Sequence, residues 1–259
     1  RALALALPGI TVHAAKRHGN KLKTGHLHGN RFDLRVKRLT PAEAERVVAR
    51  GELAQKSGVP NAFGEQRFGR EKDNAERALA ILAGKEPEPR DKRLLRLLWS
   101  ALQSDIFNRV LDARVAAGTW ATPVLGDVWK KTETGGLFVC TDEQEDRARA
   151  ERGELSPAGP LVGPKMPRAE GDPGALEMRV ARERLGDAFD AAMSGALGEG
   201  TRRAFRLLVS EFKAAVEPSC NTVANANEPH EMSCRLQFVL PKGAFATTVL
   251  DFLTGTQGE

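Results

Sequence analysis

Tyrosine is absent from the 259 residues, and cysteine occurs only at 140, 220 and 234, with no pair in a C-x-x-C arrangement. An odd, dispersed set of thiols excludes a disulfide framework and a cysteine-built zinc site, and suits a reducing compartment, the cytoplasm. Apolar runs are all far shorter than the ~20 residues of a bilayer-spanning helix, so no membrane partner is expected. The apolar opening at 2–7 stops at Pro8-Gly9 and follows no basic stretch, which does not suit a secretory leader. There is no initiator methionine, and the first residues look like the middle of an element, so the sequence is expected to be part of a longer chain. Acidic residues are nearly missing from 13–38, where eight Lys/Arg face one acid, Asp33, and four of the five histidines lie. That imbalance suits a phosphate backbone, since each neutralised phosphate releases counterions. The plainer alternative is a solvated basic hairpin.

A chain of this length can bury roughly 70–75% of its unfolded surface and needs no staple. A short strand is expected at 10–15, turns at 18–21 and 25–30, then a half-buried strand in which Phe32, Leu34 and Val36 alternate with Asp33, Arg35 and Lys37, leaving a basic outer face. His26-x-His28 has no carboxylate or thiol cluster beside it, so no metal is expected. Thr40-Pro41-Ala42-Glu43 is a capping box with proline at the first helical position, and starts a helix toward Gly51 or Lys56. A second helix ends at Gly84, and Pro87-Glu88-Pro89 breaks the chain. Asp91 caps a long helix carrying Leu94, Leu95, Leu98, Leu102, Ile106 and Val110 at helical spacing, with Ser100, Gln103, Ser104, Asn108 and Arg109 as its polar residues. Short strands near 126–128 and 135–140 precede a charged helix at 142–154. The Pro- and Gly-rich stretch 156–174 is expected to be a loop or lid. A helix at 176–196, a strand at 205–210, a polar loop at 221–229, a strand around Leu236, Phe238 and Leu240, and a last helix at 244–253 complete the chain. Strands at both ends and helix between 87 and 200 imply an α+β sheet domain interrupted by a largely helical insertion.

One segment stands apart: Gly58-Val59-Pro60-Asn61-Ala62-Phe63-Gly64-Glu65-Gln66-Arg67-Phe68-Gly69. It is too polar for a core strand and too aromatic for an ordinary loop. Its glycines allow tight turns or close approach to a ligand, and Pro60 keeps Val59 extended. Asn61, Gln66 and Arg67 offer hydrogen-bond donors beside the flat faces of Phe63 and Phe68, a set suited to a nucleobase. The alternative is a connection whose phenylalanines plug a core.

Several segments together resemble one family, tRNA pseudouridine synthase D (TruD). The likeness begins at 17–29 and runs through Gly29-Asn30-Arg31-Phe32 to its strongest point at 59–69. It continues at Ser100-Ala101-Leu102-Gln103-Ser104-Asp105-Ile106-Phe107-Asn108 and at Leu240-Pro241-Lys242-Gly243-Ala244-Phe245-Ala246-Thr247-Thr248-Val249-Leu250. The resemblance implies a pseudouridine synthase-type mixed or antiparallel sheet domain, incomplete here, at 1–86 and 201–259, with a TruD insertion at 87–200. It implies isomerisation of a uridine in the D-stem region of tRNA, uridine 13, to pseudouridine, with no cofactor, no metal and no obligatory protein partner. Asn61, Phe63, Gly64, Gln66, Arg67, Gly243 and Phe245 are the implied pocket residues, and Lys16, Arg17, Lys21, Lys23, Asn30 and Arg31 the implied RNA contacts. The lack of tyrosine fits a family that uses Phe where other pseudouridine synthases place Tyr. The family's catalytic aspartate belongs to a G-x-K-D-x-x-A segment expected upstream of Arg1, so no catalytic residue is expected among the 259. Lys72-Asp73-Asn74-Ala75 only echoes that segment, with Arg70 where Gly is needed, and Asp33, Asp105, Asp112 and Asp127 have no motif support. Asp251-Phe252-Leu253 also replaces the usual Arg-Glu-Leu. The expectation is therefore a uridine pocket without its nucleophile. The alternatives are a catalytically silent RNA-binding remnant and, further off, a basic domain that binds no RNA.

Overall fold

The computed structural model describes residues 8, 11, 12, 14–17, 19, 21, 28–218 and 231–255. Its first half contains β1 (Gly29–Leu39), α1 (Pro41–Ser57), β2 (Val59–Pro60), α2 (Asn74–Leu82), α3 (Lys92–Ala116), β3 (Val128–Lys131), β4 (Leu137–Val139) and α4 (Glu143–Glu151). Then follow β5 (Leu155–Leu161), α5 (Gly171–Leu185), α6 (Phe189–Ala191), β6 (Thr201–Ala204), β7 (Arg206–Leu207), β8 (Ser210–Pro218), β9 (Met232–Pro241) and α7 (Ala246–Thr254). The fold is α+β, with every strand pairing antiparallel.

The two ends of the chain meet in a three-stranded sheet ordered β1-β9-β8. Phe32 pairs with Phe238 and Leu34 with Leu236, and period-2 alternation turns these side chains to one face. There Cys234, Leu236, Phe238 and Leu240 pack on Ala44, Val47 and Ala54 of α1 and on Val249 and Leu253 of α7. The α1 start is as the sequence requires: the Thr40 hydroxyl accepts from the Glu43 amide, and the Glu43 carboxylate accepts from the Thr40 amide at 2.7 Å. The outer face differs from expectation. It is a mixed charge ladder, with Arg31 bonded to Glu211 at 2.7 Å and Arg35 to Glu217 at 3.2 Å. Asp33 is held by Arg235 at 2.6 Å and Gln237 at 2.9 Å. Glu211 and Glu217 come from β8, a strand the sequence pattern did not announce.

A second sheet, ordered β4-β3-β5-β6, lies against α3. Its strands β3 and β4 lie near the short strands expected at 126–128 and 135–140, and β5 joins them. Two expectations are corrected. Of the stretch 156–174 only 162–170 is loop: β5 is a central strand whose residues 155–160 are all buried, and α5 has begun by Gly171. Glycine at 159 is what permits this, since a Cβ there would fall within the Phe205 ring and 2.9 Å from Phe107. The single strand expected at 205–210 is instead divided between β7, which joins β2, and β8, which joins β9 from Ser210 on, while β6 just before them joins β5. Pairing of Leu161 with Thr201 also carries hydrogen bonding across 200/201. Thr11, Val12, Ala14 and Ala15 lie in no strand, contrary to the strand expected at 10–15. The loop expected at 221–229 lies outside the described residues.

Between the two sheets runs the two-residue ladder β2-β7. Arg206 in β7 donates to the carbonyls of Ser57 at 2.6 Å and Ala150 at 2.6 Å, the last turns of α1 and α4. A cation at helix C-termini satisfies carbonyls that have no partner within their helices.

Candidate nucleic-acid interface

The β2-β7 ladder delivers the chain to 61–69 and fixes its first residue. The Asn61 amide donates to the Phe205 carbonyl at 2.7 Å, and its side-chain Nδ2 to the Ala204 carbonyl at 2.8 Å. Asn61 Oδ1 accepts from Arg203 Nη2 at 2.7 Å, while its backbone carbonyl accepts from Arg203 Nε at 3.2 Å. Asn61 is only 9% exposed. Its amide therefore faces the protein, and what it contributes to the site is a fixed guanidinium.

Phe63 is held from α3. Asn108 Oδ1 accepts from the Phe63 amide at 2.8 Å and Asn108 Nδ2 donates to the Phe63 carbonyl at 2.9 Å, a two-bond bracket on one residue's backbone. The half-buried Phe63 ring meets Phe107 edge-on, with centroids 5.4 Å apart and planes at 78°. The Arg203 guanidinium lies 4.0 Å from the Phe63 ring centroid and that of Arg67 5.1 Å, both within cation–π range. Arg67 rises from a 3-10 turn at Glu65–Phe68, and its Nη1 donates to Ser100 Oγ at 3.0 Å. One aromatic ring is thus flanked by two cations, each tied to a neutral partner.

Burial holds the Arg203 guanidinium below its ordinary pKa, at about 10, and the nearby charge of Arg67 adds to the effect. Among the described residues no carboxylate bonds to Arg203 or Arg67. Desolvated cations without a counter-charge favour an anion, and their planar faces favour a base.

The remaining predicted residues fall in different places. Gly64 faces α7, where a Cβ would lie 3.8 Å from Thr247 Oγ1, and Thr248 Oγ1 lies 3.5 Å from the Ala62 carbonyl. The C-terminal motif therefore meets the segment through Thr247 and Thr248. Gly243 takes a φ of +79° in an open turn, and Phe245 is 49% exposed just ahead of α7. Gln66 is exposed and Phe68 half-buried. Lys16, Arg17, Lys21 and Asn30 are exposed, and Arg31 is in the charge ladder. Lys23 lies outside the described residues, and so does Arg1, the residue upstream of which the family aspartate is expected. Asp33, Asp105 and Asp127 pair with Arg235, Arg184 and Arg114. Among the described residues no cluster of three His, Cys, Asp or Glu could hold a metal ion, and no helix is long and apolar enough to cross a membrane.

Arg203 escaped the sequence reading because it lies before the strand expected at 205–210 and its partner Asn61 is 142 positions away. Asn108 was visible in α3, but its bracket on Phe63 spans 45 residues and leaves no local signal.

The family model of tRNA pseudouridine synthase D (TruD) matches residues 1–89 and 71–251. The tRNA pseudouridine synthase D of Anaeromyxobacter dehalogenans is 43% identical, over 99% of this chain and 70% of that protein. That of Thermus thermophilus is 40% identical, over 94% of this chain and 63% of its own length. A Methanosarcina mazei crystal structure described as a putative tRNA pseudouridine synthase D superposes with a TM-score of 0.65 at 24% identity. It covers 89% of this chain and 70% of the other, a likeness of fold.

Proposed function

The chain belongs to the tRNA pseudouridine synthase D family, and from that premise we propose that it serves the conversion of a tRNA uridine to pseudouridine. The target is uridine 13, in the D-stem region. In this reaction the bond from the ribose C1′ to uracil N1 breaks, the base turns, and C1′ bonds to C5 as the C5 proton leaves to solvent and N1 takes one up. The base must first leave its stack, at a cost of a few kcal/mol, roughly, and be held by stacking and polar contacts. Phe63 and Arg203 supply that hold. A guanidinium plane stacks on bases as an aromatic ring does, so the Phe63–Arg203 stack can be extended by one more flat group. Arg67 and Arg203 then balance the phosphate of the extruded nucleotide, and Asn61 and Asn108 keep the assembly rigid. Lys16, Arg17 and Lys21 contribute sequence-independent backbone attraction.

The observation that carries this reading is the guanidinium of Arg203, oriented by Asn61 and set 4.0 Å from the Phe63 ring. The reading requires a G-x-K-D-x-x-A segment in the whole protein, and without it the chain is an RNA-binding remnant. For the 259 residues alone the expected result is tRNA binding without tritium release from tRNA labelled at uridine C5. Turnover would reveal a competent carboxylate among them, and failure to bind tRNA would overturn the functional reading. Phe63→Ala is expected to abolish uridine capture, whereas Lys21→Ala weakens affinity mainly through its salt dependence. Equal salt slopes for both variants would contradict this division. The sheet unit and the inserted unit meet at this site, and we place their second boundary beyond β6.

A further inference from the structure

One face of α3 carries features that the uridine site does not use. Lys92, Arg96, Trp99 and Gln103 recur at i, i+4, i+7 and i+11, which keeps them on one side of the helix. They line a cleft of about 360 Å³ whose opposite wall is the backbone at 195–198. Sites for small organic ligands start near that size, at about 300 Å³. The opposite wall is kept low by glycine: Gly195 and Gly198 have φ of +110° and +105°, and nothing lies within 4 Å of where a Cβ on Gly198 would point. Trp99 is half-buried, so part of its indole faces the cleft while the rest packs on the core. Arg96 is exposed and has no ion pair among the described residues. Lys92 has only the exposed Glu88, at 3.3 Å. An indole flanked by cations and closed by bare backbone is the composition of a platform for one nucleotide.

The cleft and the uridine site share Ser100. Ser100 lines the cleft, and Ser100 Oγ is the atom that accepts from Arg67, whose guanidinium lies 5.1 Å from the Phe63 ring. Arg96 is four residues, about 6 Å of rise, from Ser100. Arg203, Arg67 and Arg96 therefore form a row of cations leading from Phe63 to Trp99, and none of the three bonds to a carboxylate among the described residues.

We propose that this cleft is a second nucleotide subsite, which takes a base flanking the target uridine onto Trp99 and that nucleotide's phosphate onto Arg96 and Lys92. The inference rests on the functional reading above. It adds that the strand is gripped on both sides of Arg67, so that extrusion of the target is coupled to capture of a neighbour.

The test uses tRNA transcripts with 4-thiouridine placed either at the target or at the nucleotides beside it, cross-linked to the chain and mapped by mass spectrometry. Cross-links from the target are expected at 61–67 and from a flanking nucleotide at 92–103. Trp99→Ala is expected to weaken tRNA binding about 5- to 150-fold, the range of one lost stacking contact, and Trp99→Phe to restore most of it. Because Trp99 also packs on the core, Arg96→Gln provides a surface variant, expected to lower affinity and flatten the salt slope by about one. If the target cross-links at 61–67 while flanking positions never reach 92–103, and Arg96→Gln binds within twofold of the parent, the subsite is overturned and the uridine site stands. If no transcript binds, the functional reading itself has failed, and the subsite with it.

Discussion

Arg203 is the residue on which the site turns, and its surroundings explain why glutamine or lysine cannot replace it. The fork of Nε and Nη2 reaches both oxygens of Asn61, at 3.2 and 2.7 Å, and an ammonium cannot match that geometry. Arg203→Lys is therefore expected to lose tRNA affinity nearly as far as Arg203→Gln, although only the second removes charge. The salt slope separates them: glutamine lowers it by about one, and lysine leaves it unchanged. Equal slopes in filter binding across a salt series would refute that assignment. Asn108 acts through its partner. Asn108→Ala leaves the Phe63 amide and carbonyl without their side-chain bonds, and a loss of about 1–3 kcal/mol is expected in urea unfolding. Affinity for tRNA should fall together with it, because the ring is no longer fixed.

At the scale of elements, β5 shows how a strand can hide from sequence inspection. Its sequence, LSPAGPL, has two prolines and a glycine, the composition of a loop. Packing overrides that composition, since at 159 only glycine lets the Phe205 and Phe107 rings approach the strand. Gly159→Ala is expected to cost about 1–3 kcal/mol by overpacking. Gly136→Ala, where a Cβ would meet only the flexible Thr134 and Lys131 side chains at 3.4 and 3.7 Å, should be near neutral. Thermal melts of the two proteins test the contrast. Elements with local causes were legible from sequence: the α1 capping box, the Asp91 cap of α3, and the alternation in β1 and β9. The segment 58–69 stood out in the sequence because its glycines, aromatics and amides lie together in the chain. Unrecognised were β5, β8 and the partnership of Asn61 with Arg203. Each depends on contacts between residues far apart in sequence, as Asn61 and Arg203 are at 142 positions.

On the scale of the whole molecule, the exposed face of the first sheet ties together strands from opposite ends of the chain by charge. The Asp33 carboxyl is held well below the ordinary carboxylate range, first by the Arg235 hydrogen bond and then by that of Gln237. A depressed folded-state pKa means that the ladder's contribution is complete above the unfolded value of about 4 and is lost as pH falls through the lower folded value. Asp33→Asn is expected to lower the melting temperature above about pH 5, with the two melting curves converging in acid. A constant difference at every pH would exclude this role. The same sheet has a further consequence, in time. Phe32 of β1 pairs with Phe238 of β9, so β1 leaves the ribosome some 200 residues before its partner. At about 5–20 residues per second, that is a wait of roughly 10–40 s. Throughout it β1 is an unpaired strand with one apolar face, and the alternating Arg31, Asp33, Arg35 and Lys37 on its other face keep it from pairing with a copy of itself on a neighbouring nascent chain.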